Sequence, residues 1–436
     1  MPDTNHYQVI IVGGRPAGAT LAARLGQAGL RVLLLERATL PSLPPVSSPA
    51  IYACTMRLLD EIGADEADYA RDTPKLRRWV YEIRDDFRTV NHVPDVADRD
   101  YGYAIDRARF DDALWRLAAR SPSVTARQGF GVADLLWDGE RVTGVVGKGR
   151  GGEEERFTGD LVVGADGRFS LVAAKTKAAG HDVRADLPTS LYYAYWRGVE
   201  SYDGTGPCVH LYGPGYGLGF LLMDSADGAC AVVTEGQAAI LDPDQHGGAE
   251  AMYLGLLQQY PKLWRRLKHA ERVTTVRGMK KVGNLYRQAG GPGWALVGDA
   301  YHQVDPIDGQ GVFDAVFTAR ALAKAVLAYT RGEQTWPQAL DAYDAEVRAE
   351  TFPMYRETLN RVQRELYTRH PDWAFKTWLR WVSQDAAYKR RLALLITRGL
   401  PAEGWLPASV FFGALARGAW GDVKRLWRRE EPALAS

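Results

Sequence analysis

The chain opens with two short apolar runs on either side of one amphipathic stretch. Residues 7–12 are almost continuously apolar, residues 17–28 repeat apolar side chains at helical spacing, and residues 30–35 form a second apolar run. Strands that are buried on both faces are apolar throughout, so this order predicts a β-α-β unit with parallel strands.

Two further apolar runs, residues 157–163 and 294–297, each lead into a polar loop that contains glycine. Four segments with period-2 alternation predict an antiparallel sheet between them: residues 190–199, 208–212, 217–223 and 230–234. After residue 330 the pattern becomes helical, with long charged amphipathic helices over residues 336–363 and 373–396. The predicted fold class is α/β, with a Rossmann-like domain, an inserted antiparallel-sheet domain and a helical C-terminal region.

Composition narrows the classes of function. A length of 436 residues favours two structural units, and a net charge of +1 gives no field that would attract nucleic acid. Cys54, Cys208 and Cys230 have no paired spacing, so we expect neither a metal site nor a disulfide framework. No basic leader and no apolar run of about 18 residues occurs, so we expect a cytoplasmic protein with no membrane span.

The turn after the first strand is a candidate nucleotide site. It consists of Gly13, Gly14, Arg15, Pro16, Ala17 and Gly18. Free N–H groups and the helix dipole at such a turn favour a pyrophosphate. Glu36, followed by Arg37, ends the second strand 18 residues after Gly18, where a dinucleotide unit places the acid that binds the adenosine ribose.

Arg15 stands where the usual fingerprint has a glycine. Its side chain either turns outward or supplies a guanidinium group to the phosphates, and the sequence does not choose between the two. The unit by itself is compatible with FAD and with NAD.

Three segments together resemble the FAD-dependent aromatic hydroxylase superfamily, whose fold is that of p-hydroxybenzoate hydroxylase. They are the N-terminal glycine turn, residues 164–170 (GADGRFS) and residues 298–315 (GDAYHQVDPIDGQGVFDA). The resemblance runs from residue 7 to about residue 325 and implies one bound FAD. Ala173, Phe313 and Thr318 depart from residues that many members carry at these positions.

The resemblance also implies roles for single residues. Asp299, after Gly298, binds the ribityl chain, and Asp166 serves FAD. Arg107 matches an FAD-contacting arginine at the start of a helix. The isoalloxazine ring lies along a stretch made of Pro306, Gly309, Gln310, Gly311 and Val312.

The predicted function is an FAD-dependent monooxygenase. The resemblance implies that NAD(P)H, bound transiently, reduces FAD, and that O₂ forms a flavin C4a-hydroperoxide that hydroxylates or epoxidises an apolar, aromatic or polyketide-like small molecule. One alternative is a reductase or dehydrogenase of an isoprenoid-like substrate. A flavin halogenase is disfavoured because no Trp-x-Trp-x-Ile-Pro segment occurs.

Other candidate residues lie in the long loop and in the sheet. His302 is the candidate catalytic residue, because histidine side chains assist proton transfer in many enzymes, or it shapes the loop through hydrogen bonds. Substrate contacts are predicted for Tyr193, Tyr195, His210 and Phe220. The predicted FAD domain comprises residues 1–75, 100–182 and 275–330, the substrate domain 76–99 and 183–274, and the helical region 331–436. A homodimer is left open.

Overall fold

The structure is a computed structural model that describes residues 5–44, 48–84 and 87–429. Residues 1–4, 45–47, 85–86 and 430–436, which fall in the predicted domain ranges, lie outside the described residues. The strands in chain order are β1 His6–Val12, β2 Val32–Glu36, β3 Ala50–Ile51, β4 Arg78–Ile83, β5 Phe87–His92, β6 Tyr103–Ala104, β7 Val124–Gln128, β8 Gly131–Asp138, β9 Arg141–Lys148, β10 Glu154–Gly164, β11 Gly180–Arg184, β12 Thr189–Arg197, β13 Val209–Gly215, β14 Leu218–Asp224, β15 Ala229–Gln237, β16 Glu271–Arg272, β17 Arg277–Met279, β18 Asn284–Arg287, β19 Gly290–Gly291, β20 Trp294–Leu296 and β21 His302–Gln303. The helices are α1 Pro16–Gln27, α2 Ala53–Asp60, α3 Glu66–Tyr69, α4 Arg107–Ala119, α5 Leu171–Lys175, α6 Ala249–Gln259, α7 Pro261–Leu267, α8 Gly311–Thr330, α9 Trp336–Val362, α10 Asp372–Thr377, α11 Ala386–Ile396 and α12 Ala408–Arg429.

The first sheet has the order β19-β20-β10-β1-β2-β7, and β9 and β8 extend it from β10. Strand β1 is parallel to both β10 and β2, and β10 is parallel to β20. Helices α1 and α8 pack on this sheet through small and aliphatic side chains, which explains why the parallel strands are apolar throughout. The predicted β-α-β unit and α/β class are confirmed.

The second sheet has the order β16-β12-β15-β14-β13-β4-β5, with β17 also paired to β12. The four strands predicted from period-2 alternation are confirmed as β12 to β15, all antiparallel to their neighbours in that set. Strand β4 joins β13 in parallel. Because β17 pairs with β12, the sheet reaches beyond the boundary predicted at residue 274, and the domain boundaries otherwise stay a prediction.

The C-terminal region is helical as predicted, but its second helix is divided. Helix α10 passes into a π-helical turn, Trp378–Val382, and α11 then starts anew. The Asp385 carboxylate accepts hydrogen bonds from the N–H groups of Ala387 and Tyr388 at 3.0 and 3.2 Å, so it caps a separate helix. Within the described ranges, every helix is too short or too polar to cross a membrane.

Candidate active site

Three of the predicted motifs meet at one edge of the first sheet. Val12 pairs with Gly164, and Gly164 pairs with Leu296, at the carboxyl ends of β1, β10 and β20. The N–H of Ala165 donates to Val12 at 2.8 Å, and the N–H of Val297 donates to Gly164 at 2.9 Å. Loops that leave parallel strands at this edge form the crevice where α/β folds bind ligands.

Close backbone contacts explain two glycines of the first turn. Gly13 has a φ of +104°, and a Cβ there would lie 2.3 Å from the carbonyl oxygen of Ala165. A Cβ on Gly18 would lie 1.8 Å from the carbonyl oxygen of Gly13. Gly13 and Gly18 therefore allow backbone to approach backbone closely, whereas Arg15 occupies the third position of the turn, where the usual fingerprint has a glycine.

The helix that follows the turn offers an anion site. Arg15 is the N-cap residue of α1 but makes no side-chain hydrogen bond to the first turn, which contains no acidic residue. The N–H of Gly14 donates to Glu36 at 2.9 Å, and Glu36 is buried at the end of β2 where an adenosine ribose is expected. Arg37, the next residue, is exposed.

Arg15 turns toward α4. Its guanidinium group donates to the Asp111 carboxylate at 2.6 Å, and Arg107 donates to the same carboxylate at 2.9 Å. Two guanidinium groups thus share one fully buried carboxylate and leave a net positive charge beside the turn. This cluster fits a phosphate group, and Asp111 is a partner that the sequence analysis missed.

Asp166 and Asp299 extend the site. Asp166 caps α5 by accepting the N–H of Leu171 at 2.7 Å, while its Oδ1 is buried without a hydrogen-bond partner among the described residues. Burial raises the pKa of Asp166. Asp299 is 34% exposed and lies 3.1 Å from the Nε of Arg168, so the second and third motifs are joined by an ion pair.

The charged and hydrogen-bonding groups of this site fit FAD. An uncapped helix start and a cationic cluster suit the pyrophosphate, and the carboxylates of Asp166 and Asp299 can accept hydrogen bonds from hydroxyl groups. Helix α8 starts at Gly311, also without a capping side chain, so its positive end is free to face an electron-rich ring.

The C-terminal helices hold the loop from Pro306 to Gly311, hereafter the flavin loop, along which the flavin ring is predicted to lie. Asp308 accepts a hydrogen bond from Thr358 at 2.7 Å and pairs with Arg361. Gln310 donates to the carbonyl oxygen of Ile396 at 3.0 Å and accepts from Arg398 at 2.8 Å. These partners were also missed, because no local pattern shows which distant helix a loop will contact.

A cavity of about 670 Å³ lies between the second sheet and the C-terminal helices. Ile307 of the loop borders it. Most of the lining is apolar or aromatic and includes Phe87, Leu211, Tyr212, Phe220, Leu221, Phe375, Trp378 and Leu392, while charged side chains also border it, among them Arg84, Arg361, Arg364, Glu365, Arg369 and Asp372. A narrower cavity beside Pro306 and Gly309 shares Ile307 and Arg361 with the larger one. The larger space therefore adjoins the predicted position of the flavin ring.

The residues predicted to contact substrate do not lie together in one pocket. Phe220 lines the larger cavity, whereas Tyr193 and Tyr195 border neither of the two cavities. Their rings pack edge to face at a distance of 6.2 Å, in the buried cluster against which Leu211 and Leu221 of the cavity wall also pack. His210 is buried, with its ring nitrogens 2.9 Å from Glu82 and 3.1 Å from Arg266. Burial lowers the pKa of His210, and the hydrogen bond with His210 lowers the pKa of Glu82 to about 2. The substrate roles stay predictions.

His302 is enclosed by aromatic rings. Its ring stacks on Tyr286 at 4.0 Å, and its Nε2 lies 3.5 Å from Asp314. It borders neither of the two cavities. The surroundings are those of a packed core residue, and its role in proton transfer stays a prediction.

Comparison with known proteins identifies the cofactor domain. A family model described as FAD binding domain matches residues 6–190. A tryptophan 2-halogenase of Chondromyces crocatus is 26% identical over 355 residues, which cover 77% of this chain but only 64% of that protein, so this chain spans less than two thirds of it.

Two further relatives act in different ways. A digeranylgeranylglycerophospholipid reductase of Methanocella arvoryzae is 25% identical over 79% of this chain and 83% of that protein. An FAD-dependent monooxygenase of Penicillium thymicola is 24% identical over 73% of this chain and 70% of that protein. The structure of a flavin-dependent brominase has a TM-score of 0.74 and 20% identity, covering 96% of this chain and 99% of that chain; this likeness is one of fold.

Proposed function

We propose that this chain is a flavin-dependent oxidoreductase of the FAD-dependent aromatic hydroxylase-like superfamily, because residues 6–190 match an FAD binding domain, and that it acts as a monooxygenase. It uses NAD(P)H, bound transiently, and O₂ to hydroxylate or epoxidise an apolar, aromatic or polyketide-like small molecule. The observation that carries the proposal is the large apolar cavity that meets the flavin loop at Ile307.

The size and lining of the cavity support an extended apolar substrate. Its volume of about 670 Å³ falls within the range of about 300–1,000 Å³ that is typical of small-molecule sites. Aromatic side chains line it from the sheet, with Tyr212 and Phe220, and from the C-terminal helices, with Phe375 and Trp378. Such walls bind flat apolar rings and exclude water from the reacting atoms.

Residues of the chain bind and position the cofactor. Bound FAD supplies the electrons and the activation of oxygen. The α1 start, with Arg15 and Arg107, holds the pyrophosphate, and Asp299 holds the ribityl chain. Asp308 and Gln310, fixed by the C-terminal helices, keep the loop in place beside the ring.

An isotope experiment tests the oxygen transfer. The FAD-loaded protein is reduced with NADH or NADPH and exposed to ¹⁸O₂ in the presence of substituted phenols and naphthols. We expect a product that has gained one ¹⁸O atom, detected by mass spectrometry, and no gain when the substrate is added only after the flavin has been reoxidised. Oxidation of NAD(P)H with no labelled product from any of these compounds would refute the monooxygenase.

The reductase is the second candidate. It is favoured by the reductase relative and by the same apolar cavity, which also suits an isoprenoid chain. Under anaerobic conditions a reductase would saturate a prenyl double bond with reduced flavin, whereas a monooxygenase would leave the alkene unchanged. Because a halogenase is among the relatives, a parallel reaction with bromide tests for a brominated product.

A further inference from the structure

Helix α12 carries an apolar stripe on its exposed side. The stripe consists of Phe412, Trp420, Val423 and Trp427, which are between 38% and 74% exposed. These residues are spaced by eight, three and four positions, so they lie on one face of the helix, and the exposed Ala416 fills the gap between the first two. Large apolar side chains that are exposed as a group, rather than singly, mark a surface that binds a partner.

Other faces of α12 hold the helix on the protein. Asp422 accepts a hydrogen bond from the indole N–H of Trp381 at 3.0 Å. A Cβ on Gly418 would lie 2.3 Å from the ring of Trp381, so the helix backbone packs directly against that ring. Arg417 pairs with Asp385, the capping residue of α11, at 2.7 Å. These contacts determine how the helix is rotated and leave the apolar stripe facing outward.

Positive charge accompanies the stripe. Lys424 is exposed and lies over the ring of Trp420 at 5.6 Å. Helix α12 contains five basic residues and one acid, Asp422, which is turned toward the body of the protein. With the two glutamates that follow the helix in the sequence, residues 408–431 still have a net charge of +2. The outward face of the helix is therefore aromatic and apolar, with basic side chains beside it.

An anionic lipid surface complements this face better than a second copy of the chain does. Tryptophan side chains favour the boundary between lipid headgroups and acyl chains, and basic side chains beside them are attracted to anionic headgroups. A two-fold contact between two copies of α12 would instead bring the same basic groups toward each other. Lysine is also depleted at the buried centre of interfaces between proteins.

We propose that α12 docks the protein on an anionic lipid bilayer. The helix lies along the surface, with Phe412, Trp420 and Trp427 inserted between the headgroups and Lys424 beside their phosphate groups. It keeps this orientation because its contacts with Trp381 hold it on the protein from the other side.

Docking would bring one wall of the large cavity to the lipid surface. Trp378 lines that cavity and belongs to the same π-helical turn as Trp381, against which α12 packs. An apolar substrate dissolved in the bilayer would then reach the cavity over a short path. This consequence rests on the proposed function, whereas the docking itself does not.

Vesicle binding tests the inference on the full chain loaded with FAD. The protein is mixed with vesicles of phosphatidylcholine alone, or of equal parts phosphatidylcholine and phosphatidylglycerol, and binding is measured by cosedimentation. We expect the anionic vesicles to bind at least about tenfold more tightly, and added salt to weaken this preference.

Two variants of α12 separate the apolar and the charged contributions. The double variant Trp420→Gln/Trp427→Gln should bind anionic vesicles at least about tenfold more weakly, because it removes two large apolar side chains from the lipid. Lys424→Gln should weaken binding to the anionic vesicles by about fivefold and leave binding to the neutral ones unchanged. The absorption spectrum of bound FAD checks that each variant is folded.

Trp137→Gln is the matched control. Trp137 is also an exposed tryptophan, but it lies on β8 of the first sheet. This variant should bind vesicles as wild type does. Equal binding of wild type to both kinds of vesicle, binding to neither, or a double variant that binds as tightly as Trp137→Gln would overturn the inference.

Sedimentation velocity without lipid tests the second copy as the occupant. We expect wild type and the double variant Trp420→Gln/Trp427→Gln to have the same oligomeric state. A wild-type dimer that becomes a monomer in the double variant would assign the stripe to self-association and overturn the inference. None of these measurements depends on the reaction, so their failure leaves the proposed monooxygenase to be decided by the ¹⁸O₂ experiment.

Discussion

Asp299 is the residue whose replacement tests the cofactor site most directly. If its carboxylate accepts a hydrogen bond from a ribityl hydroxyl group, Asp299→Ala removes a hydrogen bond to a charged group, which contributes about 1.5–3 kcal/mol. We expect FAD affinity to fall by about 10- to 100-fold, measured by titration of the apoprotein with FAD.

Asp299→Asn is the conservative comparison for this prediction. It keeps one acceptor oxygen and the size of the side chain but loses the charge and weakens the pairing with Arg168. FAD affinity should therefore lie between those of wild type and Asp299→Ala. Wild-type affinity in a folded Asp299→Ala protein would exclude the ribityl contact.

Asp111 and Asp112 are adjacent on α4 and give a matched pair for the cationic cluster. Asp111 is fully buried between Arg15 and Arg107, and Asp112 forms a surface pair with Arg116. Asp111→Ala removes the buried carboxylate that both guanidinium groups share, so we expect the free energy of unfolding of the apoprotein to fall by about 3–5 kcal/mol. Asp112→Ala should cost about 0–1 kcal/mol.

Bound FAD should restore part of the free energy of unfolding that Asp111→Ala loses, because the pyrophosphate would supply negative charge to Arg15 and Arg107. Urea unfolding of both variants, with and without FAD, checks this. An Asp111→Ala protein that gains no more from FAD than Asp112→Ala does would show that the two arginines do not face the phosphates.

At the level of elements, helix α9 holds the flavin loop in position through contacts with Asp308. Thr358 and Thr351 are both buried on this helix, but Thr358 donates to Asp308 of the loop at 2.7 Å while Thr351 bonds to Tyr286 at 2.8 Å. Valine at either position should lower the free energy of unfolding by about 1–2 kcal/mol. Only Thr358→Val should also change the visible absorption spectrum of bound FAD and slow its reduction. Equal spectra for the two variants would show that the hydrogen bond from Thr358 to Asp308 does not act on the flavin.

The elements themselves were largely predictable, and the contacts between them were not. Apolar runs and period-2 alternation are local signals, so the strands of both sheets and the first glycine turn could be predicted. The pairing of Asp308 with Arg361 joins residues far apart in the chain and leaves no local signal. The break before α11 was missed because the capping Asp385 interrupts an otherwise helical pattern.

Across the whole molecule, the large cavity is formed jointly by the second sheet, the flavin loop and the C-terminal helices. Its walls come from segments as distant in the chain as β4 and α11. The sequence could therefore predict that an apolar pocket exists but not which residues line it, and Tyr193 and Tyr195, which were predicted to contact substrate, do not line this cavity. Alternate residues of a strand face opposite sides of the sheet, and the cavity is lined from both, by Phe220 and by its neighbour Leu221 on β14. Phe220 is the residue predicted to contact substrate that lines it. The C-terminal helices therefore serve both as a wall of the cavity and as the support of the flavin loop.

Gly219 allows the cavity to be narrowed without disturbing the cofactor. It lines the cavity, and a Cβ there fits without a close contact, so Gly219→Leu adds an apolar side chain to free space. Naphthols should then be turned over at least about tenfold more slowly relative to single-ring phenols, because filling the space removes contact area for the second ring. FAD affinity should be unchanged. Gly255→Leu is the control, because it adds the same side chain on the exposed side of α6, where a Cβ would have no neighbour within 4 Å. It should leave the ratio of naphthol turnover to phenol turnover as in wild type. An unaltered ratio in Gly219→Leu would place substrate binding outside this cavity.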